Sequence, residues 1–308
     1  MPYIERYMKK KNTDKEYRQK LLFRKIGEKI AFGLMWICAI IAVAVLLAIV
    51  GYVTINGLKV IDLEFLTTRP AGGVSGEGGM STTIVTTIYL VIITTLIAAP
   101  LGILAAIYMV EYAEETEKSK EIVRRIVKNA RIGVEILAGV PSIVFGLFGF
   151  IIFVSHLKLN FSLLSAGLSG ACLILPTIIR TTEEAILTVP RSYREGSLAL
   201  GATKWQTISS VVLPTAIPGI VTGIVLSIGR IVAETAIFWV TLGGSYRLPK
   251  DIMSSGRTMA LHVYSLASET RAFEKALGTS TILIIIIIIL NLTINFTTRQ
   301  FKRKFSGK

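Results

Sequence analysis

Arg230 and Glu234 stand four residues apart in a stretch, 207–241, that is otherwise apolar. An arginine in a hydrophobic helix costs about 2.5–3.5 kcal/mol on insertion scales, so such a residue faces a bundle interior or water and has a partner. At this spacing the two share one helix face and can pair. Two roles fit. One is an internal ion pair that holds helices together. The other is contact with an oxyanion, to which a guanidinium offers a planar fork of donors at any working pH. In that role Glu234 holds Arg230 between substrates, or accepts a proton from the anion.

Arg180, Glu183 and Glu184 form a second charged set, just past the apolar stretch 159–179. Counting puts them near the membrane interface, where a snorkelling arginine needs no special cause. At about 1.5 Å of rise per residue, Arg230 falls in the outer half of its span and Arg180 near the inner end. Both can meet a passing ion only at different stages of its passage.

These side chains need a membrane bundle to position them. Of 308 residues 52% are hydrophobic, and the mean hydropathy is +0.63. A bilayer core takes about 20 apolar residues to cross as a helix. Stretches 30–55, 81–110, 132–155, 159–179, 207–241 and 276–298 give six spans, the first two without any charge. The first span is too long for a cleavable signal and lies behind a polar arm, with no small-residue cleavage site after it. Cys38 and Cys172 fall within spans and read as small hydrophobes, with no disulfide or metal site. His156 and His262 fall in outer loops.

The net charge of +14 is a topology signal, not a nucleic-acid footprint. Twenty-five of the 34 Lys and Arg lie in segments 1–29, 118–131, 180–204 and 299–308, which share one side if six spans alternate. Positive charge marks the cytoplasmic side, so both termini are placed inside, with attraction to anionic membrane lipid.

The arm 1–29 is an interfacial helix or a solvated basic tail, and 301–308 is a basic cytoplasmic tail. Loop 56–80, ending in RPAGGVSGEGGM, reads as a flexible outer turn without P-loop spacing. The charged run 111–131 reads as an amphipathic helix continuing span two into the cytoplasm. Pro141 and the glycines of span three, with Pro214, Pro218 and the glycines of span five, allow close approach or bending. Spans three to five therefore read as the packed interior, and spans one and six as lipid-facing.

Residues 190–206, PRSYREGSLALGATKWQ, interrupt the spans on the inner side. Ser192 with Glu195 fits a capping box that starts a helix near Tyr193. Gly201 is placed to end it in a left-handed turn. Thr203 with Gln206 is a second capping box, opening the helix of span five. Leu198, Ala202 and Trp205 then lie near one side of a glycine elbow. Spacing alone fits docking on another protein and packing on its own bundle equally.

Glu195, Gly201 and Val211-Val212-Leu213-Pro214 resemble the EAA loop of binding-protein-dependent ABC importer permeases, with Gly196-Ser197 in place of its two alanines and Val211 in place of Ile. Three longer stretches, GVPSIVFGLFGF (139–150), LPTIIRTTEEAILTVPRSYREGSLALGATKWQTI (175–208) and GRIVAETAIFWV (229–240), resemble the phosphate permeases of the Pst system, PstA type. The likeness covers about residues 75–300.

The resemblance implies an all-α integral membrane protein with the type I ABC importer permease fold and a cytoplasmic coupling helix between spans four and five. It implies that Glu195, Leu198, Gly201, Ala202 and Trp205 couple to a cytosolic ATPase, and that Arg230, Glu234, Arg180 and Glu183 line a phosphate path. The implied partners are a PstC-type permease, two PstB-type ATPase subunits and an external PstS-type phosphate-binding protein. No GxxxxGK[ST] occurs in the chain, so ATP and Mg belong to the ATPase subunits. No catalytic set, metal cluster or resident cofactor is read. A permease for another oxyanion, a PstC-type subunit and an ion-coupled secondary carrier are the alternatives. A membrane enzyme fits least, since neither HExxH, a paired Asp motif nor a Ser/His set appears in the spans.

Overall fold

The computed structural model describes residues 2–71, 76–112, 120–270 and 272–305. It divides into two units, residues 1–55 and 56–308. The first unit lies within one helix, α1 (Pro2–Gly57). The arm and the first span are therefore one continuous helix. From Gly27 onward it is long and apolar enough to cross a membrane. Trp36 and Leu47 are exposed by about three-fifths, as suits a surface covered by lipid.

The second unit begins with α2 (Leu63–Thr67), a single turn that forms because the Asp62 carboxylate accepts from Phe65 N at 2.6 Å. Of the glycine-rich segment after it, residues 72–75 lie outside the described residues. Its described ends are tied together, Ala71 N donating to Glu77 O at 2.8 Å and Met80 N to Phe65 O at 2.8 Å. Gly78 at φ +83 takes a conformation that L side chains rarely adopt, so glycine is required there.

Helix α3 (Ser81–Ile107) ends in a wider π turn, Tyr108–Tyr112. Helix α4 (Lys120–Gly139) stops at Val140–Pro141, and α5 (Ser142–Gly149) continues as a π-helical stretch to His156. Proline carries no N–H and pushes its predecessor into extended backbone, so the helix cannot run through. The two halves meet at 104°. Residues 132–155 are thus a broken element, not a straight span. Residues 120–131 belong to it rather than to span two; residues 113–119 lie outside the described residues.

Helix α6 (Leu163–Leu187) starts at Ser162, whose hydroxyl accepts from Ser165 N at 3.1 Å. It is followed by α7 (Arg191–Ala199), α8 (Lys204–Thr207) with its π turn Ile208–Val212, and α9 (Leu213–Val232). The expected span 207–241 breaks after Val232 and resumes as α10 (Ala236–Thr241). Helix α11 (Met259–Ser268) and the long α12 (Phe273–Phe305) complete the chain. Among the described residues, five helices are long and apolar enough to cross a membrane, or six if the bent pair counts as one span.

The interior is built on α3 and α6, so span two joins spans three to five in the core. Leu90 and Ala98 of α3 pack with Leu173, Ile174 and Ile178 of α6, and Ile231, Ile237 and Phe238 close the cluster. Small residues permit the close approach: a side chain at Gly102 would strike Ile178, and one at Gly223 would strike Thr181. Three buried threonines of α3 are satisfied locally, Thr83, Thr86 and Thr87 donating to the carbonyls of Met80, Thr82 and Thr83 at 2.7 Å. That lets a helix of apparently lipid-like composition sit inside. Span six is not wholly lipid-facing either, since Ala276, Thr279 and Thr281 of α12 are buried.

The end of α3 remote from α7 is pinned to the layer between α10 and α12. Thr82 Oγ1 donates to Tyr246 O at 3.0 Å, and Thr87 Oγ1 accepts from Met259 N at 2.9 Å.

Candidate functional site: the coupling elbow and the charged pathway residues

Helix α7 buries none of its residues. It starts at Arg191 with Pro190 as N-cap, two residues earlier than the Ser192–Glu195 box implies, so Ser192 lies inside the helix. Its end is as the spacing predicts. Gly201 stands at φ +83, its N–H donates to Leu198 O at 2.9 Å, and Ala202 N donates to Ser197 O at 3.3 Å. These are the paired bonds of a helix stopped by a left-handed glycine. The Thr203–Gln206 capping box is present in both directions, at 2.8 and 3.3 Å.

The elbow turns apolar side chains outward. Leu198 and Trp205 are about half exposed, Ala202 less so, and Leu200 is 90% exposed. Leu200 escaped sequence reasoning, although it directly precedes the glycine. Glu195 is exposed on the same helix.

What holds the elbow to the bundle was not legible in the sequence. The Arg194 guanidinium donates to Glu111 Oε1 at 3.0 and 2.8 Å, to Val189 O at 2.7 Å and to Ile186 O at 2.9 Å. Its side chain is 19% exposed and that of Glu111 10%. Removing one partner from a fully buried pair costs about 3–5 kcal/mol, and slight solvent access here lowers that figure. Lys204 also stands 4.8 Å from the Tyr112 ring centre, and the Ser197 and Thr207 hydroxyls meet at 2.9 Å. Beneath lies a second apolar cluster that includes Ile107, Ile186, Val189, Ile208 and Val212.

Arg230 and Glu234 do not pair. Helix α9 ends between them, and the Glu234 carboxylate turns forward to accept from Ala236 N at 3.1 Å and Ile237 N at 3.5 Å. A shared face would need an unbroken helix, and α9 ends at Val232. Arg230 is half-buried in the last turn of α9, where the carbonyl end favours a cation. Among the described residues it carries neither a hydrogen bond nor an ion pair.

Arg180 and Glu183 lie within α6 rather than beyond it, and α4 engages both. Arg180 stands 3.6 Å from Glu135, and Arg131 Nε 3.1 Å from Glu183. Arg131 also reaches Met109 O at 3.4 Å. The first pair is about half exposed on both sides, so it adds at most about 1 kcal/mol. Neither residue is joined to Arg230 or Glu234.

His262 is not in a loop. It lies in α11, 2% exposed, with Nδ1 lacking a hydrogen-bond partner among the described residues. It shares a small pocket with Glu77, Tyr246 and Arg257. Arg257 donates to Gly244 O at 3.0 Å and stacks 4.0 Å above the Tyr246 ring, while Lys275 donates to Gly78 O at 3.1 Å. Burial first, then the charges of Arg257 and Lys275, lowers the His262 pKa from 6.5 to about 4.

The imidazole is therefore neutral in the fold. Between pH 6.5 and about 4 the unfolded chain binds a proton that the folded chain does not, so His262 lowers stability as pH falls. The full difference approaches about 3 kcal/mol. We expect the melting temperature of the purified protein to drop between pH 7 and pH 5, and part of that drop to vanish in His262→Gln. An unchanged pH profile in the variant would refute this.

A bundle centred on two closely packed helices, a broken fifth span and an exposed elbow before it define the type I ABC importer permease fold. The structure superposes with a TM-score of 0.63 on a chain of a bacterial alginate ABC transporter, solved in complex with an alginate pentasaccharide-bound periplasmic protein, at 14% identity over 90% of this chain and 98% of that one. Residues 98–307 match the family described as binding-protein-dependent transport system inner membrane component, and the chain belongs to that family. It is thus a transport subunit and a multi-pass membrane protein. It is 31% identical to the probable ABC transporter permease protein YqgI of Bacillus subtilis, over 92% of this chain and 99% of that one. It is 32% identical to the phosphate transport system permease protein PstA 1 of Mycobacterium tuberculosis H37Rv, over 90% and 89%.

Proposed function

We propose that this chain is a membrane-spanning permease subunit of an ATP-driven importer that carries inorganic phosphate into the cytoplasm, with both termini on the cytoplasmic side. The observation that carries the reading is the elbow at 190–206, an exposed helix stopped by Gly201 and fixed to two membrane helices through Arg194. Similarity to relatives named as phosphate permeases supports the choice of ion.

In this reading Leu198, Leu200, Ala202 and Trp205, with Glu195, meet one of two PstB-type ATPase subunits, which bind ATP and Mg. A PstC-type permease completes the channel, and a PstS-type protein delivers phosphate from outside. Arg230, half-buried and without a partner among the described residues, receives the oxyanion with its donor fork. Glu234 does not hold Arg230; it shapes the break at 233–235 and so sets where the arginine stands. Arg180 and Glu183, paired with α4, act nearer the cytoplasm.

Uptake of labelled phosphate into vesicles carrying the assembled complex tests this. We expect uptake to stop when ATP is removed and to continue when the proton gradient is collapsed with ATP maintained. Loss with the gradient alone would make the chain a secondary carrier, and uptake of sulfate or molybdate in preference to phosphate would change the substrate.

A further inference from the structure

Resting on the reading above, we propose that Glu111 and Arg194 are positioning residues that convert movement of the coupling helix into movement of α3. In α7 only Arg194 and Ser197 are not exposed. Arg194 is its deepest anchor, with four hydrogen bonds that reach both the end of α6 and the π turn that closes α3. Lys204, just past the elbow, stands over Tyr112 on that same π turn. Two contacts from the elbow thus converge on residues 108–112.

From there α3 runs the depth of the bundle. Its other end is tied to Tyr246 and Met259 by Thr82 and Thr87. A helix of 27 residues is about 40 Å long, and α3 carries Pro100 inside it, where a helix can bend. A shift at Glu111 is therefore carried toward the far layer along one continuous element. The π turn beside Glu111 is where the helix can change register, as such wide turns often do at functional sites. Glu111 accepts both guanidinium bonds on one oxygen, and the charge-assisted attraction resists separation of the pair.

A structural tie and a transmission link differ in what breaks. We would reconstitute the complete importer in proteoliposomes with Glu111→Gln, with Arg194→Lys, and with the exchanged pair Glu111→Arg plus Arg194→Glu. Phosphate uptake, ATP hydrolysis and retention of the ATPase subunits would be measured together. We expect Glu111→Gln and Arg194→Lys to keep the ATPase subunits and their hydrolysis, while phosphate carried per ATP falls about 10-fold or more. The exchanged pair should regain part of that ratio.

An unchanged ratio, whether uptake and hydrolysis hold or fall together, overturns the proposal. So does loss of the ATPase subunits from both single variants, which would make the pair a structural tie only. The unmodified complex, run alongside, tests the transport assignment by itself. Absence of ATP-driven phosphate uptake there removes that assignment, whereas normal uptake there and in both variants removes only the link.

Discussion

Phosphate uptake by the assembled importer should fall at least about 100-fold when Arg230 is replaced by glutamine, while the complex still assembles. Arg230 has no partner among the described residues, so its removal orphans no buried carboxylate. The fold keeps what it had; the oxyanion loses its fork. Glutamine retains length and polarity, so the missing quantity is charge together with the planar donor pair. Arg230→Lys keeps the charge alone and should recover part of the loss, about 10-fold. Glu234→Gln should be milder, because a neutral amide oxygen still accepts from Ala236 N and Ile237 N. Full uptake by Arg230→Gln would take Arg230 out of the pathway.

Gly201→Asp should abolish co-purification of the ATPase subunits while leaving the chain inserted in the membrane. Backbone strain is not the main reason. Beyond the adjoining residues, no atom lies within 4 Å of where the new Cβ would stand, so nothing clashes. Aspartate tolerates the left-handed region better than most residues, at a cost of about 1 kcal/mol. What decides the outcome is a carboxylate placed beside Leu200 and Trp205, on apolar surface that docking would dehydrate. An unpaired charge buried in an interface costs about 2–5 kcal/mol, a loss in affinity of about 30- to 5000-fold. Gly201→Asn has the same shape and the same tolerance for φ +83 without the charge, and should keep most of the ATPase. Equal failure of both variants would assign the effect to the backbone.

The elbow was legible because its signals are local. Thr203 and Gln206 are three residues apart, Gly201 closes the turn that it occupies, and both are realised. The first capping box was overridden by Pro190, which caps α7 without a side-chain bond. The link between Arg194 and Glu111 spans 83 residues of sequence, and nothing in either neighbourhood marks the other. Hydropathy averages over a long window, so it passed across the two-residue break at Val140–Pro141 and the three-residue break before α10. The same smoothing put Arg230 and Glu234 on one face. A carboxylate near a helix start has backbone donors to satisfy, and Glu234 took those. The central place of α3 was hidden because several of its threonines, Thr86 and Thr87 among them, bond to their own helix and read as neutral in composition.

The outward-turned elbow also bears on how the importer is made. A newly inserted copy that has not met its ATPase shows Leu200 almost bare, beside Leu198 and Trp205. Apolar surface of that kind in water invites non-specific association. Solitary chains are then the ones that aggregate or attract proteases, and cells gain from synthesising the subunits together. Overproducing this chain by itself should yield little usable protein, and co-expression with its ATPase should rescue the yield.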